Sequence, residues 1–425
     1  MDDGSEREVK NAGRVLRGPV AQVKVPGPMS LGRLPVERAE PRASFDLMAG
    51  GEAAFARILQ RIDEAERSIL VRCFEWRDDQ TGQMVGEALL RAADRGVEIN
   101  ILKDRVGMAY EHLEGTKQSF FHKRIGLIPR LQTWSLMTVY GRWGSLRQKP
   151  SPLADALLSH QMVTVNHHQK RFDHAKLYVF DDEVVILGGM GIGDDFRHHN
   201  VDFMVEISGG DAAARLADRY DGRAQFDLDR KFDYLLHSFK GSGHTKKGQR
   251  VALAKQRLAL IASAQKRLTI EMAYFGDKAC TAALVDAVKR GVRVTVLTAA
   301  RSNIIGDLNL WTCAQLLKRT GSPENLRIVL HPRMVHGKAI VGDGAWVDIG
   351  STNFTSPSHG GYEEVDLFCH DAAFAKRVED AIEHDIRAGK PAKLPIRYRT
   401  PYVVIERMLG SFHGRKKKTK VKGRK

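Results

Sequence analysis

Two stretches of this chain set a histidine and a lysine two residues apart and close on an aspartate. They are HAKLYVFD, His174 to Asp181, and HGKAIVGD, His336 to Asp343. In an extended segment residues i and i+2 project to the same face. Each stretch therefore places a titratable nitrogen base beside a fixed positive charge, which suits the handling of an anion. A further strand and a small-residue turn follow each copy, VVILGGMGI in one and WVDIGSTNF in the other. The copies align without a gap: Gly188 matches Gly350, Gly189 matches Ser351 and Gly191 matches Asn353. Twenty-eight residues after each histidine stands a carboxylate, Asp202 in the first copy and Glu364 in the second.

Phosphodiester chemistry is what such a pair of half-sites predicts. One neutral imidazole attacks phosphorus and forms a phosphohistidine. The other donates a proton to the leaving alcohol and later takes one from the incoming nucleophile. Lys176 and Lys338 would hold the non-bridging oxygens, where charge accumulates in the transition state. Asp202 and Glu364 would accept from the second imidazole nitrogen and fix tautomer and orientation. Ser351 and Asn353 are small polar donors able to bind the same phosphate. Asp181 and Asp343 complete the catalytic spacing, yet their place at hairpin turns predicts a structural task. His167, His168, His198 and His199 have no duplicated context and are expected at the surface or on a substrate lip. Two lysines beside the phosphate do a metal's electrostatic work, so neither metal nor cofactor is expected.

The elements that must position these groups are themselves duplicated. AERSILVRCFEW from Ala65 is echoed by AQKRLTIEMAYF from Ala264, and ALLRAADRGVEINIL from Ala88 by ALVDAVKRGVRVTVL from Ala283. In each copy a helix leads into a strand, and a second helix ends in Arg-Gly-Val before another strand. Gly96 and Gly291 fit helix C-terminal stops. Such alternation predicts an α/β fold of two duplicated halves, each a mixed β-sheet flanked by helices, with the site at their interface. The expected division is an N-terminal arm over 1–44, a first half over 45–235, a linker over 236–250, a second half over 251–400 and a basic tail over 401–425.

The connection between Arg-Gly-Val and the histidine motif is longer in the first copy. The excess falls in a stretch, 115–154, without a single acidic residue. Lys117, Lys123, Arg124, Arg130, Arg142, Arg147 and Lys149 there alternate with Phe120, Phe121, Trp134, Tyr140 and Trp143. Basic residues mixed with large aromatics suit the headgroup level of a membrane. They also suit single-stranded nucleic acid stacked on rings.

With 425 residues, 43% of them hydrophobic, the chain is long enough for two domains or one duplicated unit. Four scattered cysteines (Cys73, Cys280, Cys313, Cys369) argue for reduced thiols rather than a disulfide framework or zinc site. MDDGSEREVK lacks the apolar core of a secretory signal. No run approaches the ~20 apolar residues that span a bilayer. The net charge is +16, and the last eleven residues, RKKKTKVKGRK, carry eight basic groups and no acid. Such a run attracts anionic lipid or nucleic acid.

On the two His-x-Lys-x4-Asp motifs the chain resembles the phospholipase D superfamily over residues 45 to 390. Within it, the stretch SILVRCFEWRDDQTGQMVGEALLRAADRGVEINILKD and the order AYF, RGVRVTVL, HGKAIVGD are most similar to bacterial cardiolipin synthases and related phosphatidyltransferases. The resemblance implies two α/β halves and a metal-independent, ping-pong mechanism through phosphohistidine, with His174 attacking and His336 as acid and base. The Gly-Ser-x-Asn that follows the family's second motif is present as Gly350 to Asn353. The corresponding Gly-Gly-x-Asn of the first motif is GGMG here, so Gly191 offers no side chain. The expected substrate is an anionic phospholipid at a membrane surface, the enzyme being cytoplasmic and peripheral at the inner face of the cell membrane. A phospholipase D-type nuclease or phosphodiesterase, with nucleic acid as partner, is the alternative.

Overall fold

The predicted duplication folds into two sheets with a core between them. The computed structural model describes residues 43–104, 106–112, 118–121, 127–140, 151–166, 172–238 and 250–412. Most of the expected arm, most of the linker, residues 413–425 of the tail, and His167 and His168 lie outside these residues.

The first half runs β1 (Ser44–Ala49), α1 (Gly51–Glu64), β2 (Ser68–Cys73), α2 (Gln80–Asp94), β3 (Glu98–Lys103), α3 (Gly107–Glu111), α4 (Leu127–Tyr140), α5 (Pro152–Ser159) and β4 (Val163–Asn166). It continues with β5 (Leu177–Phe180), β6 (Val184–Gly188), a π-helical turn (Asp195–His199), β7 (Phe203–Ser208) and α6 (Ala212–Asp221). After β8 (Phe232–His237) come α7 (Ala252–Ser263), β9 (Arg267–Met272), α8 (Lys278–Lys289), β10 (Arg293–Ala299), α9 (Gly306–Thr320) and β11 (Leu326–His331). The chain closes with β12 (Lys338–Gly342), β13 (Trp346–Gly350), α10 (Ser356–Gly360), β14 (Glu364–Cys369), α11 (Ala372–Ala388), β15 (Lys390–Pro391) and α12 (Thr400–Phe412).

The strand orders are β1-β7-β6-β5-β2-β3-β4 and β15-β11-β10-β9-β12-β13-β14-β8. Both sheets are mixed: β2 and β3 are parallel, as are β9 and β10, whereas the β5–β6 and β12–β13 hairpins are antiparallel. The α2 and α8 helices start on Asp79 and Asp277, whose carboxylates accept backbone N–H groups of the first turn. Both stop at a glycine of positive φ, +91° at Gly96 and at Gly291, as the Arg-Gly-Val repeat predicts.

The duplication reaches further than the sequence showed. Strand β8 straddles the expected boundary at 235 and pairs antiparallel with β14, as β1 pairs with β7. It forms the edge of the second sheet. Its six residues are all buried: Phe232, Tyr234 and Leu236 join the core between the sheets, and Leu235 joins the core beneath α7. The first residues of the expected tail form a helix, α12. Val403 and Glu406 are buried there, the Glu406 carboxylate accepts the Leu308 N–H at 2.7 Å, and Arg407 stacks on Trp311.

One core lies between the sheets, built from Leu177, Val179, Leu187 and Val205 of one and Ala339, Val341, Ile349 and Val365 of the other. Two more lie under the helices, one beneath α1 and α2 and one beneath α7, α8 and α9. All four cysteines are buried and unbridged. The basic, aromatic insertion divides. Phe120 and Phe121 pack on Trp76 in the core, Trp134 is exposed on α4, and Tyr140 at the end of α4 reaches the site described next. Trp143 and the basic residues of the insertion other than Arg130 lie outside the described residues.

Candidate active site

Each motif histidine stands just ahead of its strand, where the two halves are stitched by backbone hydrogen bonds. The His174 N–H donates to Glu363 O at 2.9 Å, and the Glu363 N–H donates to Phe172 O at 2.9 Å. The His336 N–H donates to Val201 O at 2.7 Å, and the Val201 N–H to Met334 O at 2.8 Å. These short parallel bridges set the next residue of each half, Glu364 or Asp202, against the histidine of the other. Glu364 Oε2 lies 3.0 Å from His174 Nδ1, and Asp202 Oδ2 lies 2.7 Å from His336 Nδ1. An ionised carboxylate can only accept, so each holds the proton on Nδ1 and leaves Nε2 as the free nitrogen.

His174 and His336 line one pocket of about 90 Å³. Its walls are largely aromatic and apolar, with Phe74, Tyr110, Tyr140, Tyr274, Ile304 and Tyr362 among them. Asn353 also lines it, and its buried Oδ1 has no hydrogen-bond partner among the described residues.

Both lysines are buried beside their histidines. Lys176 Nζ donates to His174 O at 2.7 Å, and Lys338 Nζ donates to His336 O. Lys338 Nζ also lies 3.0 Å from Nδ1 and 3.3 Å from Nε2 of the His336 ring. With the Nδ1 proton committed to Asp202, Lys338 acts on that ring as a neighbouring charge. Burial, reinforced by Lys338, drives the His336 imidazole down to about 3. Burial likewise lowers His174, against the pull of Glu364, and lowers Lys176. Burial takes the Lys338 ammonium down to about 7, although Asp202 favours its charge. Burial pushes the Glu364 carboxyl up, but His174 and Lys176 outweigh it and hold the group below its ordinary range. The site thus holds neutral imidazoles, with a buried lysine close to losing its charge behind them.

The other expected site residues have partners of their own. Ser351 Oγ donates to Glu364 Oε2 at 2.7 Å and accepts the Val365 N–H at 3.0 Å, so it braces the carboxylate that orients His174. The Asp343 carboxylate accepts backbone N–H groups of Gln265, Lys266 and Arg267, and Asp181 those of Glu66, Arg67 and Ser68. Both aspartates sit in the hairpin turns at the far ends of β5 and β12, with φ of 53° and 54°. They clamp the hairpins to the loops ahead of β2 and β9 and lie outside the pocket walls. His198 and His199 stand on the π-helical turn, paired with Glu52 and Asp195.

The glycines of the first turn have a steric reason. A Cβ on Gly189 would meet Asp202 Oδ1 at 2.3 Å, so the carboxylate occupies the room that Ser351 uses in the other half. A Cβ on Gly191 would meet the Phe196 ring at 2.7 Å and Glu75 Cβ at 3.3 Å. No counterpart of Asn353 fits there.

Other contributors were not singled out from the sequence. Arg257, fully buried on α7, donates to Asp348 at 2.7 Å, to Asp366 at 2.7 Å and to Thr352 O at 2.8 Å. It thereby fixes the turn that carries Ser351 and Asn353. The matching positions of the first half are Ile58, Ile186 and Met204, all buried in its apolar core. An acid in the middle of each apolar strand, WVDIG and EVDLFC, was the available signal. Arg72 joins the halves behind His174, reaching Asp173 at 3.0 Å and Glu363 at 3.2 Å. Asp277, Cys280 and His359 bring possible metal-ligand atoms within 4.8 Å of one another. Arg250, which donates twice to Asp277 at 3.0 Å, already supplies the cation there.

Known proteins share the sequence pattern and the fold of this chain. The sequence pattern of the family described as "Cardiolipin synthase, PLD-like domain" matches residues 58–223 and 258–386. The chain belongs to this phospholipase D-like family. Its two matched segments each contain one His-x-Lys motif and one trailing carboxylate. Cardiolipin synthase A of Pseudomonas entomophila (strain L48) is 28% identical over 84% of this chain and 70% of its own length. A cardiolipin synthase of Clostridium perfringens (strain SM101 / Type A) is 22% identical over 81% of this chain and 71% of its own. The crystal structure of phosphatidylserine synthase from Haemophilus influenzae Rd KW20 superposes with a TM-score of 0.60 at 15% identity. It covers 86% of this chain and 91% of that one, and shares its fold.

Proposed function

We propose that this phospholipase D-like chain is a phosphatidyltransferase that moves a phosphatidyl group from one phospholipid to an alcohol, in the manner of a cardiolipin synthase. The observation that carries this reading is the pair of histidines on one pocket, each oriented by a carboxylate of the opposite half. The family relationship and the cardiolipin synthases similar to it along most of the chain support the same substrate class.

In the proposed mechanism His174 Nε2 attacks phosphorus as the P–O bond to the leaving alcohol breaks. His336 Nε2–H gives its proton to that oxygen. In the second step an incoming hydroxyl returns its proton to His336 as its oxygen displaces His174 from phosphorus. Lys176, Lys338 and Asn353 balance the charge on the non-bridging oxygens. The anionic phosphodiester restores the positive charge that burial removes from His336 and Lys338, so the acid is armed as substrate binds.

A narrow pocket with aromatic and apolar walls fits one headgroup better than a polynucleotide track. Among the described residues no helix is long and apolar enough to cross a membrane, and the proposed working place is the bilayer surface. Incubation with phosphatidylglycerol vesicles should give cardiolipin or phosphatidic acid; neither product would sink the reading. The +16 charge favours a nuclease as the second reading. Cleavage of single-stranded nucleic acid in EDTA, lost in His174→Ala, would promote it. Trapping an acid-labile phosphohistidine in each single His→Ala variant tests the assignment of roles, and label on His336 would reverse it.

A further inference from the structure

A second cavity, of about 320 Å³, lies beside the catalytic pocket, and the two share Ile305, Thr355 and Pro357 as a common wall. The other side of this cavity carries Arg250, Lys278 and Arg407. Arg250 is held by Asp277 at 3.0 Å, and Asp277 also caps α8, so that pair and the helix end are spoken for. Arg407 differs. It lies over the Trp311 ring at 3.7 Å, and among the described residues its buried Nη2 has no hydrogen-bond partner. Glu406 is the other acid of the wall; burial pushes its carboxyl up to about 7, which weakens its opposition to an anion.

The helix that brings Arg407 here also faces outward in an unusual way. Pro401, Val404, Ile405 and Met408 form an exposed apolar stripe on α12, with Met408 55% exposed. Spacing of i, i+3, i+4 and i+7 is normally turned to a core. An apolar stripe facing outward, followed by a chain end rich in lysine, suits the surface of an anionic bilayer. Exposed Leu131 and Trp134 lie on α4, whose Tyr140 accepts the Ile305 N–H at the shared wall.

We propose that this cavity binds the phosphate ester of the acceptor molecule, held by Arg407 and Lys278, while the acceptor's hydroxyl reaches past Ile305 and Pro357 to the phosphorus on His174. The ligand class is a phosphate anion joined to a free hydroxyl by a short polyol, as in a phospholipid with a glycerol headgroup. The inference rests on the phosphatidyl-transfer reading. During transfer the P–Nε2 bond of His174 breaks, the P–O bond to the acceptor forms, and the hydroxyl proton passes to His336 Nε2. The site selects a phosphate-bearing alcohol over water.

The test uses the full chain on phosphatidylglycerol vesicles and reads the ratio of cardiolipin to phosphatidic acid. Arg407→Gln and Lys278→Gln should each lower that ratio about tenfold, the scale of one lost charge-assisted hydrogen bond. Arg407→Lys should recover part of it. An unchanged ratio, or equal loss of both products, overturns the proposal. Adding sn-glycerol 3-phosphate separates the sources of the phosphate. Cardiolipin as the preferred product assigns the cavity to a lipid headgroup, and phosphatidylglycerol phosphate assigns it to a free phosphate ester. Titration with sn-glycerol 3-phosphate needs no turnover, so it stands even if the transfer reading fails. Loss of one of two binding sites in Arg407→Gln supports the cavity's role, and retention of both refutes it.

Discussion

His336 and Asp202 come from opposite halves of the chain, and their side chains meet at 2.7 Å. His174 and Glu364 repeat the exchange in the other direction at 3.0 Å. Neither half can orient its own histidine, so the site exists only where the halves are joined. Asp202→Asn and Glu364→Gln keep shape but remove the charge that fixes the tautomer. Each should slow transfer about a hundred- to ten-thousand-fold, with the fold kept by circular dichroism. A loss below tenfold in both would remove the carboxylates from the mechanism.

Lys338 predicts a pH dependence. Its ammonium is lowered to about 7, and an anion favours the charged form. Below that value the lysine is already charged, and the only proton taken up on binding is the one that His336 gains. Above it, binding must take up a second proton, so the fall in affinity should steepen by about a further tenfold per pH unit. Dimethyl phosphate, whose own charge is constant over this range, is the probe, read by calorimetry. Lys338→Gln should abolish the steepening near pH 7; a break in slope that survives would assign it elsewhere.

The hairpin aspartates should matter for folding and not for chemistry. Asp343→Ala strands the N–H groups of Gln265, Lys266 and Arg267, and Asp181→Ala does the same to Glu66, Arg67 and Ser68. Urea unfolding should show a loss of about 1–3 kcal/mol for each, with the rate per folded molecule unchanged. Backbone donors hold both carboxyls below the ordinary 3.8, outweighing burial. Their contribution is therefore present above that pH and is lost as pH falls through the lower folded value. A collapsed transfer rate in fully folded Asp343→Ala would return it to the catalytic set.

Arg257 offers a contrast between breaking a buried triad and replacing it. Arg257→Met alone leaves Asp348 and Asp366 without their cation and should cost about 3–5 kcal/mol. The triple change Arg257→Ile, Asp348→Ile, Asp366→Met copies the apolar set of the first half, Ile58, Ile186 and Met204. It should recover most of the stability in urea unfolding. A triple variant no better than Arg257→Met would mean that the Thr352 backbone contact is what matters.

Much of this protein could be read from the residues in order. Repetition of the Arg-Gly-Val helix ends and of His-x-Lys-x4-Asp gave the two α/β halves, because local spacing sets helix stops, hairpins and which side chains share a face. The same spacing singled out His174, Lys176, His336, Lys338, Asp202, Glu364 and Asn353. Tertiary structure decided what distance along the chain does not encode. It exchanged the carboxylates between halves, since the bridges at Val201 and Glu363 form between the halves. It gave Ser351 to Glu364, and Asp181 and Asp343 to backbone donors, because a polar atom takes whichever partner packing brings within reach. It also moved β8 into the second sheet and turned the start of the tail into a helix, where buried Val403 and Glu406 outweigh the basic residues that follow.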